Sequence, residues 1–318
     1  MSYIFEALQR AEAERTGGKT PVHAESVADL LHELERVEQK AERTEAAPAV
    51  SSSPVLEPEK AAAATFAESE VLVPALASDS RLVCMSDQGS LAAEQFRVLG
   101  LKLRHLRDRR KLKRVVVTGS APQEGKSLVA ANLALNQARS KVLKTLLVDG
   151  DLRRPALAER FGFDRSLPGL SECLRGERKI EAAVYKISGS GLWFLPAGRA
   201  TENPLELMQA GRLPELLDHL GTFFDWIIID TPPVTPVADA AFWMKLADGV
   251  LLVIREGTSE RKIIEKAMNS FDRSTLLGVV VNDCSSSERK DYYSRYSQSR
   301  TEAGGGSPKD SEVSNKQA

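Results

Sequence analysis

The feature that most restricts what this chain can fold into is a series of short, nearly continuous apolar runs. They lie at residues 115–117, 145–148, 192–195, 226–229, 250–254 and 277–281. None alternates apolar with polar as a half-exposed strand would, so each must be buried on both faces. Between them lie stretches with helical periodicity, at 128–139, 212–220, 237–246 and 259–271. Strands buried on both faces and separated by helices predict an α/β fold, a doubly wound, mostly parallel sheet. In such sheets ligands sit beyond the carboxyl ends of the strands.

Three polar segments fall at those ends. The first is Ser120-Ala121-Pro122-Gln123-Glu124-Gly125-Lys126-Ser127, which leads from the run 115–117 into a helix opening at Leu128. A strand, a small polar turn ending in Gly-Lys-Ser and a helix form the context of a phosphate-binding loop. Unpaired N–H groups and the positive end of the helix dipole converge there on an anion. Lys126 would meet the outer phosphates and Ser127 would ligate magnesium. The first glycine of the usual pattern is replaced by Ser120. The blander alternative is a turn whose lysine is a solvated surface charge.

The second segment is Asp149-Gly150-Asp151-Leu152-Arg153-Arg154-Pro155, and the third is Asp230-Thr231-Pro232-Pro233. Singly, each aspartate reads as a helix or turn cap. Carboxylates at strand ends beside a phosphate loop are where magnesium is held.

Composition narrows the class further. With 318 residues, one large or two small domains are expected, and an apolar fraction of 42% suffices for a sizeable core. A net charge of −1 implies no general attraction to nucleic acid. Cys84, Cys173 and Cys284 are widely spaced and the four histidines are dispersed, which fits a reducing cytosol and argues against a zinc site. The first ten residues lack the pattern of a signal peptide, and no apolar run approaches the roughly 20 residues needed to span a bilayer.

Along the chain, residues 1–43 carry two amphipathic helical patterns, either a partner-docking element or marginal solvated helices. Residues 44–80, rich in Ala, Pro, Ser and Glu, read as a disordered linker. Residues 81–285 hold the α/β domain. Within it, a helix over 90–107 is N-capped by Ser90 and runs into the basic cluster from Arg107 to Arg114, read as cations favoured at a helix C-terminus. Residues 286–318 read as a disordered tail containing Tyr292, Tyr293 and Tyr296, three of the chain's five tyrosines.

The segments at 146–155 and 227–234 resemble the second Walker motif and the Walker B motif of the bacterial tyrosine kinases (BY-kinases) of capsule and exopolysaccharide synthesis. Gly169-Leu170-Ser171, Pro196-Ala197-Gly198, Asn203-Pro204-Leu205-Glu206-Leu207, Arg255-Glu256-Gly257-Thr258 and Val281-Asn282 follow that family in order, from about Glu94 to Cys284. The resemblance implies a MinD-like P-loop ATPase fold and ATP-dependent protein tyrosine autophosphorylation, with ATP and Mg2+ as cofactors. It places residues 120–128 around the phosphates, with Leu128 opening the helix, and Asn282 near adenine. It gives Lys126 the transferred phosphoryl group, Ser127, Asp149 and Asp230 the metal, and Asp149 or Asp151 the tyrosine proton. Tyr292, Tyr293 and Tyr296 are the implied phosphoacceptors.

The same resemblance implies activation by a separate membrane adaptor of the polysaccharide chain-length determinant type, and hence a cytoplasmic protein held at the membrane through that partner. The family's subunit-contact pattern E-x-x-R-x-x-R is met by Glu94 and Arg97, but Gly100 replaces the second arginine. Weakened self-association is therefore expected. The family also has glycine at the position of Gln123. A MinD/ParA-like positioning ATPase is the rival reading, and it lacks support at Ala121, where those proteins carry a second lysine. A non-catalytic nucleotide-binding scaffold of the export machinery is the other alternative.

Overall fold

The computed structural model describes residues 66, 68–140, 142–234, 238–270, 272 and 274–284. Contacts divide the chain at Glu68, and the fold below is that of the unit from Ser69 onward. The two N-terminal helical patterns and all three tail tyrosines lie outside the described residues.

In chain order the elements are β1 (Val71–Leu72), α1 (Val83–Ser86), α2 (Leu91–Arg109), β2 (Arg114–Gly119), α3 (Lys126–Gln137), β3 (Thr145–Asp149), α4 (Leu157–Arg160), α5 (Leu170–Arg175) and α6 (Ile180–Ala183). There follow β4 (Tyr185–Ile187), β5 (Leu192–Leu195), α7 (Pro204–Gln209), α8 (Arg212–Phe223), β6 (Trp226–Asp230), α9 (Ala238–Lys245), β7 (Gly249–Arg255), α10 (Arg261–Met268) and β8 (Leu276–Asn282).

The strands form one eight-stranded sheet in the order β1-β4-β5-β3-β6-β2-β7-β8. All neighbours run parallel except β4 and β5. The expected doubly wound, mostly parallel sheet is thus present, and every apolar run named from the sequence is a strand. Val115, Val117, Leu147, Ile228, Leu251 and Val253 join α3 in one core cluster. The alternating residues Val116, Leu146, Val148, Ile227, Ile229 and Leu252 are equally buried. Side chains alternate across a strand, so both faces of the sheet are covered.

Helix α2 begins where expected. Ser90 is its N-cap, and its side chain accepts a hydrogen bond from Ala93 N at 3.2 Å. The helix packs on α3, and the fit is tight at Gly100. A Cβ there would collide with Nδ2 of Asn136, while Gln137 Nε2 donates to Gly100 O at 3.2 Å. Position 100 therefore faces the protein's own core. Glycine there admits the neighbouring helix, a reason the sequence alone did not provide.

The expected linker at 44–80 needs correction at its C-terminal end. Lys186 N donates to Glu70 O and Ser188 N to Leu72 O, both at 2.9 Å, and Ala75 N donates to Phe161 O at 3.0 Å. Residues 70–75 are held by these backbone bonds as the edge strand β1 and its continuation. Two paired residues are too few to show periodicity, which is why the compositional reading passed over them.

Candidate active site

The carboxyl ends of β2, β3 and β6 lie side by side in the middle of the sheet, and Asp149 and Asp230 are paired directly across β3 and β6. The phosphate loop follows β2, so the three polar segments named from sequence meet at one place. Further bonds fix the Asp230-Thr231-Pro232-Pro233 segment to β2. Thr118 Oγ1 donates to Pro232 O at 2.9 Å, Thr231 Oγ1 to Val117 O at 3.2 Å, and Val234 N to Gly119 O at 2.9 Å.

The loop has the shape of an anion cradle. Gly125, the N-cap of α3, has φ +92°, and a Cβ there would strike the side-chain amide of Asn282. Gln123 also adopts positive φ, +62°, which is uncommon outside glycine, asparagine and aspartate. Glutamine thus occupies the family's glycine position with its backbone still left-handed. Lys126 is buried, and its Nζ donates to Ala121 O at 2.7 Å. Burial lowers its pKa, opposed by the charges of Asp230, Glu124 and Asp151. An anion in the cradle would give this desolvated ammonium its partner.

Asp149 and Asp230 are each 1% exposed. Burial pushes Asp149 up to about 7, although Leu157 N at 3.0 Å and Ala156 N at 3.2 Å donate to its Oδ2 and favour the ionised form. Asp230 is held well above the ordinary carboxylate range by burial and then by Asp149, with the Ser127 hydroxyl bonding to it in opposition. Asp230 Oδ1 is buried and has no hydrogen-bond partner. An orphaned carboxylate oxygen beside a serine hydroxyl and a second carboxylate fits a magnesium ion, which takes one or two protein carboxylates and completes its shell with water and phosphate. Among the described residues no cluster of three or more His, Cys, Asp or Glu could hold a metal alone.

Asp151 is half-buried, the more accessible of the two aspartates after β3. Its Oδ1 accepts from Arg153 N at 3.2 Å and Arg154 N at 3.0 Å. Sequence reasoning missed the pair that holds this turn. Arg153 Nε donates to the buried Asp239 at 2.5 Å and Nη1 to Glu202 O at 3.1 Å. The only local signal for the pair is an acidic residue in the first turn of α9. Asn282 comes to the site, but its Nδ2 donates to Glu124 O at 3.0 Å, so what it touches here is the loop itself. Ser120, Ala121 and Pro122 lie in the loop and Leu128 in the first turn of α3.

No protein-family profile matches the chain. It is 34% identical to tyrosine-protein kinase YwqD of Bacillus subtilis (strain 168) over 213 residues, which are 66% of this chain and 89% of the relative. It is 39% identical to the putative tyrosine-protein kinase EpsB of Ralstonia solanacearum over 189 residues, 58% of this chain and 25% of that much longer protein. The solved BceF tyrosine kinase domain is similar at 31% identity, with a TM-score of 0.57 over 71% of this chain and 97% of that one. A relative matched along nine-tenths of its length shares more than a phosphate loop with this protein, and the chain belongs to the bacterial tyrosine-protein kinase family.

Proposed function

We propose that the chain is an ATP- and Mg2+-dependent protein tyrosine autokinase that regulates the polymerisation and export of a capsular or extracellular polysaccharide. The buried Asp149–Asp230 pair, with its orphaned oxygen beside Ser127 and Lys126, carries this reading. Bound there, a magnesium nucleotide supplies the phosphoryl group and the cation that neutralises charge during transfer. Lys126 provides a fixed positive charge at the outer phosphates. Ser127, Asp149 and Asp230 would hold the metal. Asp151 reaches the surface and accepts the tyrosine hydroxyl proton. The protein has little covalent chemistry to do in such transfers, so positioning and electrostatics carry the rate.

Tyr292, Tyr293 and Tyr296 are the proposed acceptors, and the catalytic domain comprises residues 81–285 together with β1. No helix among the described residues is long and apolar enough to cross a membrane. Placement at the cytoplasmic face of the membrane through a separate chain-length-determinant adaptor, as in the family the chain resembles, is part of the proposal, and the segment at 1–43 is its candidate contact. The test is to incubate purified chain with labelled ATP, Mg2+ and the adaptor's cytoplasmic tail. Phosphotyrosine supports the kinase. ATP hydrolysis without it supports a positioning ATPase, and neither supports a scaffold.

A further inference from the structure

The side chain of Glu124 folds back onto its own loop. It is 1% exposed, tucked against the loop that carries it. Its Oε2 accepts from Ala121 N at 2.8 Å, and its Oε1 accepts from the Ser120 hydroxyl and from the Ser259 hydroxyl, the latter at 2.6 Å. A buried carboxylate is tolerated when several donors satisfy it, and such charge-assisted bonds are the strong ones. Here two donors belong to the first turn of the phosphate loop and one comes from 135 positions away.

Ser259 is itself fixed. Its Oγ accepts from Arg255 N at 3.0 Å. Arg255 pairs with Asp283, and Glu256 N donates to Asn282 O at 3.0 Å. Asn282 in turn bonds the carbonyl of Glu124. The segments after β7 and β8 thus form one tied unit that grips Glu124 by its carboxylate and by its backbone.

The loop has a reason to need this grip. It lacks the usual first glycine, having Ser120 there, and it holds Gln123 in left-handed backbone. Such a conformation persists only where the surroundings impose it. We propose that Glu124 and Ser259 are positioning residues that brace the phosphate loop in its anion-receptive shape, with Ser259 transmitting the state of the 255–259 segment to the loop. This rests on the nucleotide-binding reading above. Neither side chain touches the reacting atoms in this account.

The experiment uses the full chain and a fluorescent ATP analogue. Ser259→Ala should weaken its binding about tenfold or more, the scale of one lost hydrogen bond to a charged group, and leave kcat within about twofold. Ser259→Thr, which keeps the hydroxyl, should restore binding. Glu124→Gln should weaken binding too, and the double variant should be clearly better than the product of the two losses and close to the worse single variant, because both substitutions disturb the same contact. In nucleotide-free protein, amide exchange across residues 119–126 should speed up in Ser259→Ala and return to the wild-type rate in Ser259→Thr. Unchanged binding and unchanged exchange in Ser259→Ala would overturn the brace while leaving the nucleotide site standing. A wild-type chain that binds no nucleotide overturns the proposed function, and this proposal with it.

Discussion

Asp149 and Asp230 stand directly opposite one another at the carboxyl ends of β3 and β6, and both are sealed from solvent. Burial raises the pKa of both carboxyls, and the charge of Asp149 raises that of Asp230 further. A divalent cation between them and Ser127 would reverse that.

Binding of the magnesium nucleotide should therefore expel protons from the pair and weaken as pH falls below about 7, where Asp149 is held. Calorimetry in two buffers of different ionisation enthalpy at pH 6 measures the protons released. A buffer-independent heat would contradict the assignment.

The stability consequence has the opposite sign. A carboxyl whose folded pKa lies above its unfolded value contributes stability that is fully present at pH below the unfolded value, near 3.8, and is lost as pH rises through about 7. In nucleotide-free protein at pH 8, Asp230→Asn should accordingly raise Tm by about 2–4 °C for each kcal/mol of repulsion relieved. The same variant should lose magnesium-dependent nucleotide binding. Scanning calorimetry without nucleotide, compared at pH 5 and pH 8, checks the sign.

The helix packing at Gly100 yields a third expectation. Gly100→Arg forces a long side chain into the contact between α2 and Asn136, and overpacking of this kind costs about 1–3 kcal/mol. Thermal or denaturant unfolding should show it. Restoring the family's arginine pattern at this position should lower stability without producing a stable ring, and light scattering of the wild type at low micromolar concentration should show little high-order assembly.

How much of this was legible beforehand follows from where each signal is stored. The strands were readable because burial on both faces writes a continuous apolar run into five or so residues. That the three polar segments would meet was readable because glycine, lysine and aspartate at the ends of neighbouring parallel strands are a local signal. β1 and β4 were not, since two or three residues show no period. The contact between Glu124 and Ser259 joins segments that only the sheet order brings together. Gly100 looked like a missing charge because sequence shows what a residue lacks and not what it packs against.

The tail gives a fourth prediction. β8 ends at Asn282, bonded to the phosphate loop, so the chain leaves the sheet at the end that carries the site. Tyr292, Tyr293 and Tyr296 follow soon after in sequence. Replacing all three with Phe should remove most autophosphorylation and spare nucleotide binding. Mass spectrometry that finds phosphate only on Tyr3 or Tyr185 would remove the tail as acceptor. Tyr185 is 2% exposed and donates to Pro168 O, a poor position for an acceptor.

The most direct measurement compares wild type with Lys126→Met in phosphotransfer from labelled ATP, with Mg2+ and the adaptor tail present. The substitution removes the buried ammonium and its bond to Ala121 O and leaves the sheet untouched. The account predicts phosphotyrosine on the wild type, none above background on the variant, and unfolding transitions that nearly coincide. Equal labelling of a folded Lys126→Met variant would place the chemistry somewhere other than the phosphate loop.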